Sequence, residues 1–262
     1  MNLLLKKFII GIVPVRFQLP LRFCYERLAG NLEPEMKLLD QFLGGKKRVI
    51  DVGANYGFYS YYLAKKDKFV EAFEPLPGCA VTISAYRSPR IRVHNVALSS
   101  TSGMLRLFTP IFNGEPYPAC STFTSVVGPH ESCEVPVRTL DEYFFEDVCL
   151  VKIDVEGHEL EVLRGAVQNL QRERPVILVE IEQRHLGGPI IDVFKYIQGC
   201  GYEGFFFLQG KMRPISEFSF SVHQMPFLAD VNNPDYVNNF FFLPDQTKKS
   251  SSITPHGNEQ SH

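Results

Sequence analysis

Arg48-Val-Ile-Asp-Val-Gly-Ala-Asn-Tyr-Gly57 is the stretch on which the fold turns. Val49, Ile50 and Val52 form the near-continuous apolar run of a strand buried on both faces of a parallel sheet. Gly53 and Gly57 then permit a tight turn, and the residues from Phe58 to Lys66 read as the helix it opens. Backbone without Cβ atoms lets a ligand lie against the helix N-terminus, where free N–H groups favour a carboxylate or phosphate.

The spacing narrows the ligand. A dinucleotide fingerprint counted from Gly53 needs glycines at 55 and 58, where the chain has Asn55 and Phe58. Asp51 would repel a pyrophosphate and attract an ammonium or a sulfonium, and S-adenosylmethionine (SAM) carries both. Its ribose needs a diol acceptor at the end of the next strand, and Lys68-Phe-Val-Glu-Ala-Phe-Glu74 supplies Glu74. The competing role for Asp51 is a turn-capping carboxylate.

A length of 262 residues with 45% hydrophobic content suits one domain with a large core and terminal extensions. We expect an N-terminal helical extension over 1–45, packed on the core or on a membrane surface. The ligand-binding domain follows over 46–246, and a polar disordered tail over 247–262. The net charge of −2 gives no electrostatic footprint for nucleic acid. Six cysteines without C-x-x-C spacing read as reduced and mostly buried, which points to the cytoplasm. Residues 1–15 hold Lys6-Lys7 between apolar runs too short to span a bilayer. They suit a helix packed on the domain, with weak membrane-surface contact as the alternative.

Between these ends, apolar strands and helical segments alternate. Strands are expected at 91–97, 150–154, 176–181, 204–208 and 240–243, with a hairpin piece at 103–108. Helices are expected at 78–86, 141–145, 158–170 and 190–198. A Pro- and Gly-bearing loop over 109–131 is a candidate acceptor lid. The order implies an α/β fold: an open, mostly parallel sheet with helices on both faces and ligands at the strands' carboxyl ends.

Val151-Lys-Ile-Asp-Val-Glu-Gly-His-Glu159 is the second dense constellation. Asp154 and Glu156 share a side while the strand stays regular. His158 near a helix start is the first candidate for a general base, with Asp154 or Glu180 as orienter or rival. Glu159 reads as a complement to the helix dipole. Glu180 and Glu182 repeat the i, i+2 pattern, so four carboxylates meet at one sheet edge. They suit either hard cations or polyol hydroxyls, and we assign no metal ligand.

Taken in order, Val49 to Gly57, Phe73-Glu-Pro75, Asn95-Val-Ala-Leu98, Val137-Arg-Thr-Leu-Asp141, Lys152 to Glu159 and Val162-Leu-Arg-Gly-Ala166 resemble the FkbM family of SAM-dependent methyltransferases. The resemblance covers positions 48 to 182. It implies a Rossmann-like class I methyltransferase fold, with a seven-stranded sheet and an antiparallel last strand. The implied activity is O-methyl transfer to a hydroxyl of a sugar, glycan or secondary metabolite. Asp51, Gly53, Asn55 and Gly57 would then line the methionine part of SAM, Glu74 would hold the ribose, and Asn95 and Ala97 would flank the adenine. Asp154 would face the sulfonium end. The stretch from Asn113 to Thr122 follows the family's polar loop only loosely, so the acceptor is not specified. Other functions open to the sequence are a SAM-binding module without turnover and an NAD-dependent oxidoreductase.

Overall fold

The computed structural model describes residues 12–124 and 126–245. Helix α1 (Val15–Ala29) and a short α2 (Pro34–Leu38) lead into β1 (Arg48–Val52), α3 (Phe58–Ala64), β2 (Phe69–Phe73), α4 (Pro77–Ala85) and β3 (Ile91–His94). The chain then leaves the main sheet for β4 (Ala97–Leu98), β5 (Gly103–Phe112), β6 (Glu115–Pro116) and β7 (His130–Arg138). It returns through β8 (Val148–Ile153), α5 (Glu159–Arg164), α6 (Val167–Glu173), β9 (Val176–Glu180), α7 (Ile190–Gly199) and β10 (Tyr202–Leu208). It ends with β11 (Lys211–Pro214), α8 (Phe220–His223) and β12 (Asn239–Pro244).

Eight strands form the main sheet in the order β11-β10-β12-β9-β8-β1-β2-β3. The sheet is parallel from β3 to β9, and β12 is antiparallel to both β9 and β10. This is the expected class I methyltransferase sheet with its antiparallel last strand, extended by one edge strand. Each central strand feeds two cores by its two-residue period. Ile50, Val151, Ile177, Val179, Phe240 and Phe242 enter one, beneath α5, α6 and α7. Val49, Leu150, Leu178 and Phe241 enter the other, with Phe23 of α1 and Leu63 of α3. Burial on both faces is why these strands read as continuous apolar runs.

Several expectations need correction. The extra edge strand β11 follows a two-residue turn, Gln209 and Gly210, with φ of 51° and 79°. Gln-Gly lacks the usual Asn-Gly signature, so nothing in the sequence announces this hairpin. The strand expected at 91–97 stops at His94, and Ala97 instead pairs with β7 in a second, four-stranded sheet. The loop expected over 109–131 is shorter, since β5 runs to Phe112 and β7 begins at His130. The helix expected at 141–145 is a single 3-10 turn, Leu140–Glu142, closed by a capping box between Thr139 and Glu142. The helix expected over 158–170 is two helices, because a Cβ at Gly165 would stand 2.0 Å from the Ser99 carbonyl oxygen. The chain breaks there to admit that contact. No disulfide joins the cysteines, but only Cys79 and Cys149 are buried, since Cys24 and Cys133 lie on outward faces of α1 and β7.

The segment expected to touch a membrane falls largely outside the described residues, as does the 247–262 tail. Helix α1 packs on α3 and α4, with Phe23 against Phe58, Tyr61 and Tyr62. Among the described residues no helix is long and apolar enough to cross a membrane.

Phe240 is fully buried and packs against Phe194 and Phe218, at ring centroids 4.8 and 5.0 Å away. Phe240→Ala is expected to destabilise the chain by about 3–5 kcal/mol, read as a lower urea midpoint. A loss below about 1 kcal/mol would show that this core is not the one described.

Candidate active site

The β1–α3 turn is shaped by close approach. A Cβ at Gly53, where φ is +75°, would stand 1.8 Å from the Asp154 carbonyl oxygen. The N–H groups of Gly53 and Ala54 both donate to the Phe73 carbonyl, at 3.0 and 3.1 Å. Asn55, at φ 49°, donates its N–H to Glu74 Oε2 at 2.7 Å, and Leu76 donates its own to Oε1 at 2.8 Å. Glu74 is thereby fixed at the end of β2, and burial raises its carboxyl to about 7. Asn95 holds the adjoining backbone, its amide donating to the carbonyls of Glu74 and Pro75 at 2.8 and 2.9 Å.

Beside this turn lies a cleft enclosing about 560 Å³ of empty space, open solvent at its mouth included. Leu76, Ala97, Leu98, Leu107 and Phe123 give it apolar walls. Asn55, Glu74, Asp154 and Glu156 give it polar and acidic ones. The lining suits a ligand that combines an apolar ring, a diol and a charged group.

Beyond Asp154 lies a charged cluster organised by Lys152, which is 3% exposed. Its Nζ donates to Asp154 Oδ2 at 2.8 Å and lies 4.7 Å from the centre of the Tyr59 ring. Burial opposes its charge, but Asp154, Asp51 and Glu33 outweigh that and hold the ammonium above its ordinary value. Asp51, level with Lys152 in the sheet, accepts the Ser60 hydroxyl on Oδ2 at 2.6 Å, while Oδ1 has no hydrogen-bond partner among the described residues. Tyr59 donates its hydroxyl to Glu33. Glu180 takes the Asn238 amide at 2.7 Å, and burial raises it well above the carboxylate range, with Asp154 and Glu33 adding.

Glu156 stands in the turn after β8 at φ 48°, its carbonyl accepting the Thr122 hydroxyl at 2.7 Å. Burial first, then Asp154 and Glu182, raise its carboxyl to about 8. Glu182, 6% exposed, is held by Arg184 Nε at 2.6 Å and by the Tyr236 hydroxyl. Glu159 stands in the first turn of α5, where it complements the helix dipole, is 2% exposed, and accepts the Gly157 N–H at 2.7 Å.

The structure thus brings Gly53, Asn55, Glu74, Ala97 and Asp154 to one cleft, with Glu180 beside them. Asp51 lies buried beneath the turn rather than in the lining, and Gly57 is a packing position, where a Cβ would meet the Ile83 side chain at 2.8 Å. Asn95 supports Glu74 and is not in the lining. His158 is set apart from the carboxylates proposed to orient it. Its Nε2 pairs with Ser99 Oγ at 2.9 Å, its ring leans on Phe123, and Glu161 is the charge that acts on it. Sequence reasoning missed Glu33, Tyr59 and Lys152. A lysine inside the apolar run Val151-Lys-Ile153 was a signal, since a buried charge demands partners. Glu33 carried none.

Raised carboxyls bind more protons folded than unfolded. Their stabilisation is complete below the ordinary value of 4.5 and is lost as pH rises through about 7 for Glu74 and Glu159 and about 8 for Glu156. Burial lowers His158 and His185 from 6.5, which acts in the opposite sense but is nearly complete above pH 7. The urea midpoint of the ligand-free chain should therefore fall between about pH 7 and 8.5, and less steeply in Glu156→Gln. A midpoint that rises over this window would contradict the burial of these groups.

Hexuronic acid methyltransferase AglP of Haloferax volcanii is 34% identical over 154 residues, 56% of this chain and 59% of that protein. The chain thus matches less than two thirds of that relative's length. A crystal structure of methyltransferase FkbM from Methylobacillus flagellatus KT superposes at TM-score 0.49 and 18% identity, covering 75% of this chain and 43% of that one. A TehB-like SAM-dependent methyltransferase from Corynebacterium glutamicum superposes at TM-score 0.47 and 14% identity, covering 86% and 96%. The methyltransferase FkbM domain model matches residues 51–203, from the aspartate of β1 into β10, and the chain belongs to the FkbM methyltransferase family.

Proposed function

We propose that the chain is a SAM-dependent O-methyltransferase acting on a hydroxyl of a sugar or glycan. The observation that carries this reading is the cleft itself, whose lining combines a carboxylate fixed at the end of β2, apolar side chains and the acidic residues Asp154 and Glu156, the chemistries that SAM's ribose, adenine and amino-acid parts call for. In this reading Gly53 and Asn55 take the amino-acid end, Glu74 the ribose hydroxyls, and Ala97, Leu98 and Leu76 the adenine. When bound, SAM supplies an electrophilic methyl group.

The chain's own work is to align the acceptor oxygen, exclude water and receive a proton. We assign proton acceptance to Asp154, which lines the cleft and is oriented by Lys152 at 2.8 Å. His158 is not assigned that role, because its ring nitrogen is engaged with Ser99. Glu33 and Glu180 provide acceptors for further hydroxyls of a polyol. The named substrate of the Haloferax volcanii relative, a hexuronic acid, favours a sugar acceptor here. Six thiols outside any disulfide accord with a cytoplasmic location. The family match displaces the NAD-dependent alternative.

The test is incubation with SAM and a panel of sugars, glycans and polyols, followed by mass spectrometry for methylated products. Methylated sugar is the expected result. Asp154→Asn should lower kcat by about 10²-fold with little change in SAM affinity, and Glu74→Gln should weaken SAM binding by about tenfold in calorimetry. SAM binding without product on any acceptor would favour a binding module, and absence of SAM binding would reject the reading.

A further inference from the structure

Glu156, Glu182 and His185 have no role in the reaction proposed above, yet they converge. Each offers one ligand atom, and the three atoms lie within 4.8 Å of one another. Ligands on opposite sides of one cation are separated by twice the bond length, about 4.0–4.2 Å for Mg²⁺ and about 4.6–5.2 Å for Ca²⁺. A spread of up to 4.8 Å lets one Ca²⁺ touch all three as they stand, and a smaller cation after the side chains close in by a few tenths of an ångström.

Two buried atoms there lack partners among the described residues. His185 Nε2 lies 3.0 Å from Glu156 Oε2 but makes no hydrogen bond to it. Glu159, 2% exposed, uses Oε1 on the Gly157 N–H and leaves Oε2 buried without a donor. Gly157 links that carboxylate to the other two residues: it follows Glu156 in the chain, and a Cβ there would stand 2.3 Å from the His185 carbonyl oxygen. Glu159 in turn feels the charge of Glu182. Arg184 is the counter-charge on this group, with Nε 2.6 Å from Glu182 Oε2 and a second nitrogen 3.1 Å from Oε1.

We propose that Glu156, Glu182 and His185 bind one divalent cation. Carboxylates suit Mg²⁺, Ca²⁺ and Mn²⁺, whereas imidazole suits first-row transition metals, so Mn²⁺ is the ion that answers to both donor types. Glu182 Oε2 is taken up by Arg184 and the Tyr236 hydroxyl, whereas Oε1 faces Arg184 alone and keeps a second lone pair, so the ion either shares this residue with Arg184 or sends that partly exposed side chain into solvent. Glu156 and Glu182 follow the adjacent parallel strands β8 and β9, which puts the cation beside Asp154 at the mouth of the cleft. There it would coordinate an acceptor hydroxyl and ease loss of its proton to Asp154. That use rests on the methyl-transfer reading, whereas the binding itself does not.

Titration of the full chain with Mn²⁺, following the free ion by electron paramagnetic resonance, separates the two. One saturable site is expected, weakened at least tenfold by His185→Gln and by Glu156→Gln and tightened by Arg184→Gln. Glu182→Gln also removes the Tyr236 and Arg184 contacts and risks the fold, so the other variants decide. Absence of saturable binding at millimolar Mn²⁺, or unchanged binding in His185→Gln, overturns the site. Tight binding without methyl transfer on any acceptor leaves the site standing and removes only its proposed use.

Discussion

Lys152 places an ammonium inside the sheet, level with Asp51 on β1 and bonded to Asp154 beyond β8, and the site's other charges are arranged around it. Buried carboxylates at this density otherwise take up protons, because desolvation and mutual repulsion both disfavour the ionised form. Asp154, Asp51 and Glu33 hold the lysine charged, and its charge in turn pulls Asp51, Glu33 and Glu180 down against the larger upward push of burial, so the cluster stands or falls together. Removing one member of a buried pair typically costs about 3–5 kcal/mol, more than a surface ion pair contributes. The arrangement also reaches outside the sheet. Tyr59 on α3 stacks under the ammonium and donates to Glu33, which ties the segment before α2 to the mouth of the cleft.

That dependence explains which parts of the protein were readable in its sequence. The β1 turn was legible because its signals are local: an apolar run, two glycines spaced for a tight turn, and a carboxylate at the end of the next strand, although the Asp154 carbonyl that demands Gly53 is distant in sequence. The mostly parallel character of the main sheet followed from alternation, whereas its strand order did not. The second sheet was not legible. Most residues of β5 and β7 are exposed, and their pairing joins Gly103 to Val137 across the chain, so no local pattern announces it. The break at Gly165 is set by Ser99, and Glu33 acquires its role from Tyr59 and from Lys152 and Asp154, the last two more than a hundred positions away. His158 was legible as a residue at a helix start, but its pairing with Ser99 was not, because that partner lies 59 positions back in the chain.

The second sheet contributes to the cleft in a restricted way. Leu107 of β5 and Phe123 supply apolar wall to the cleft, and the Thr122 hydroxyl clips the loop onto the Glu156 carbonyl. These contacts use apolar side chains and one backbone acceptor. Charged groups that could recognise an acceptor come instead from the ends of β8 and β9 and from Glu33. In the proposed reaction the second sheet thus adds to the enclosure of a cofactor held by the β1 turn and Glu74, while the groups that meet the acceptor come from the main sheet and Glu33.

For the proposed reaction this division decides which residues matter most. Alignment of an acceptor oxygen with an activated methyl group supplies about 7–11 kcal/mol, whereas a positioned base supplies about 10²- to 10⁴-fold, or roughly 3–5 kcal/mol. The larger contribution belongs to groups that fix geometry: Gly53 against the Asp154 backbone, Asn55 on Glu74, and Thr122 on Glu156. Two of those three contacts end on the short turn from Asp154 to Gly157. A displacement of that turn would move the cofactor floor, the proton acceptor and the lid together, so the chemistry depends more on the backbone of this turn than on the basicity of any one side chain it carries.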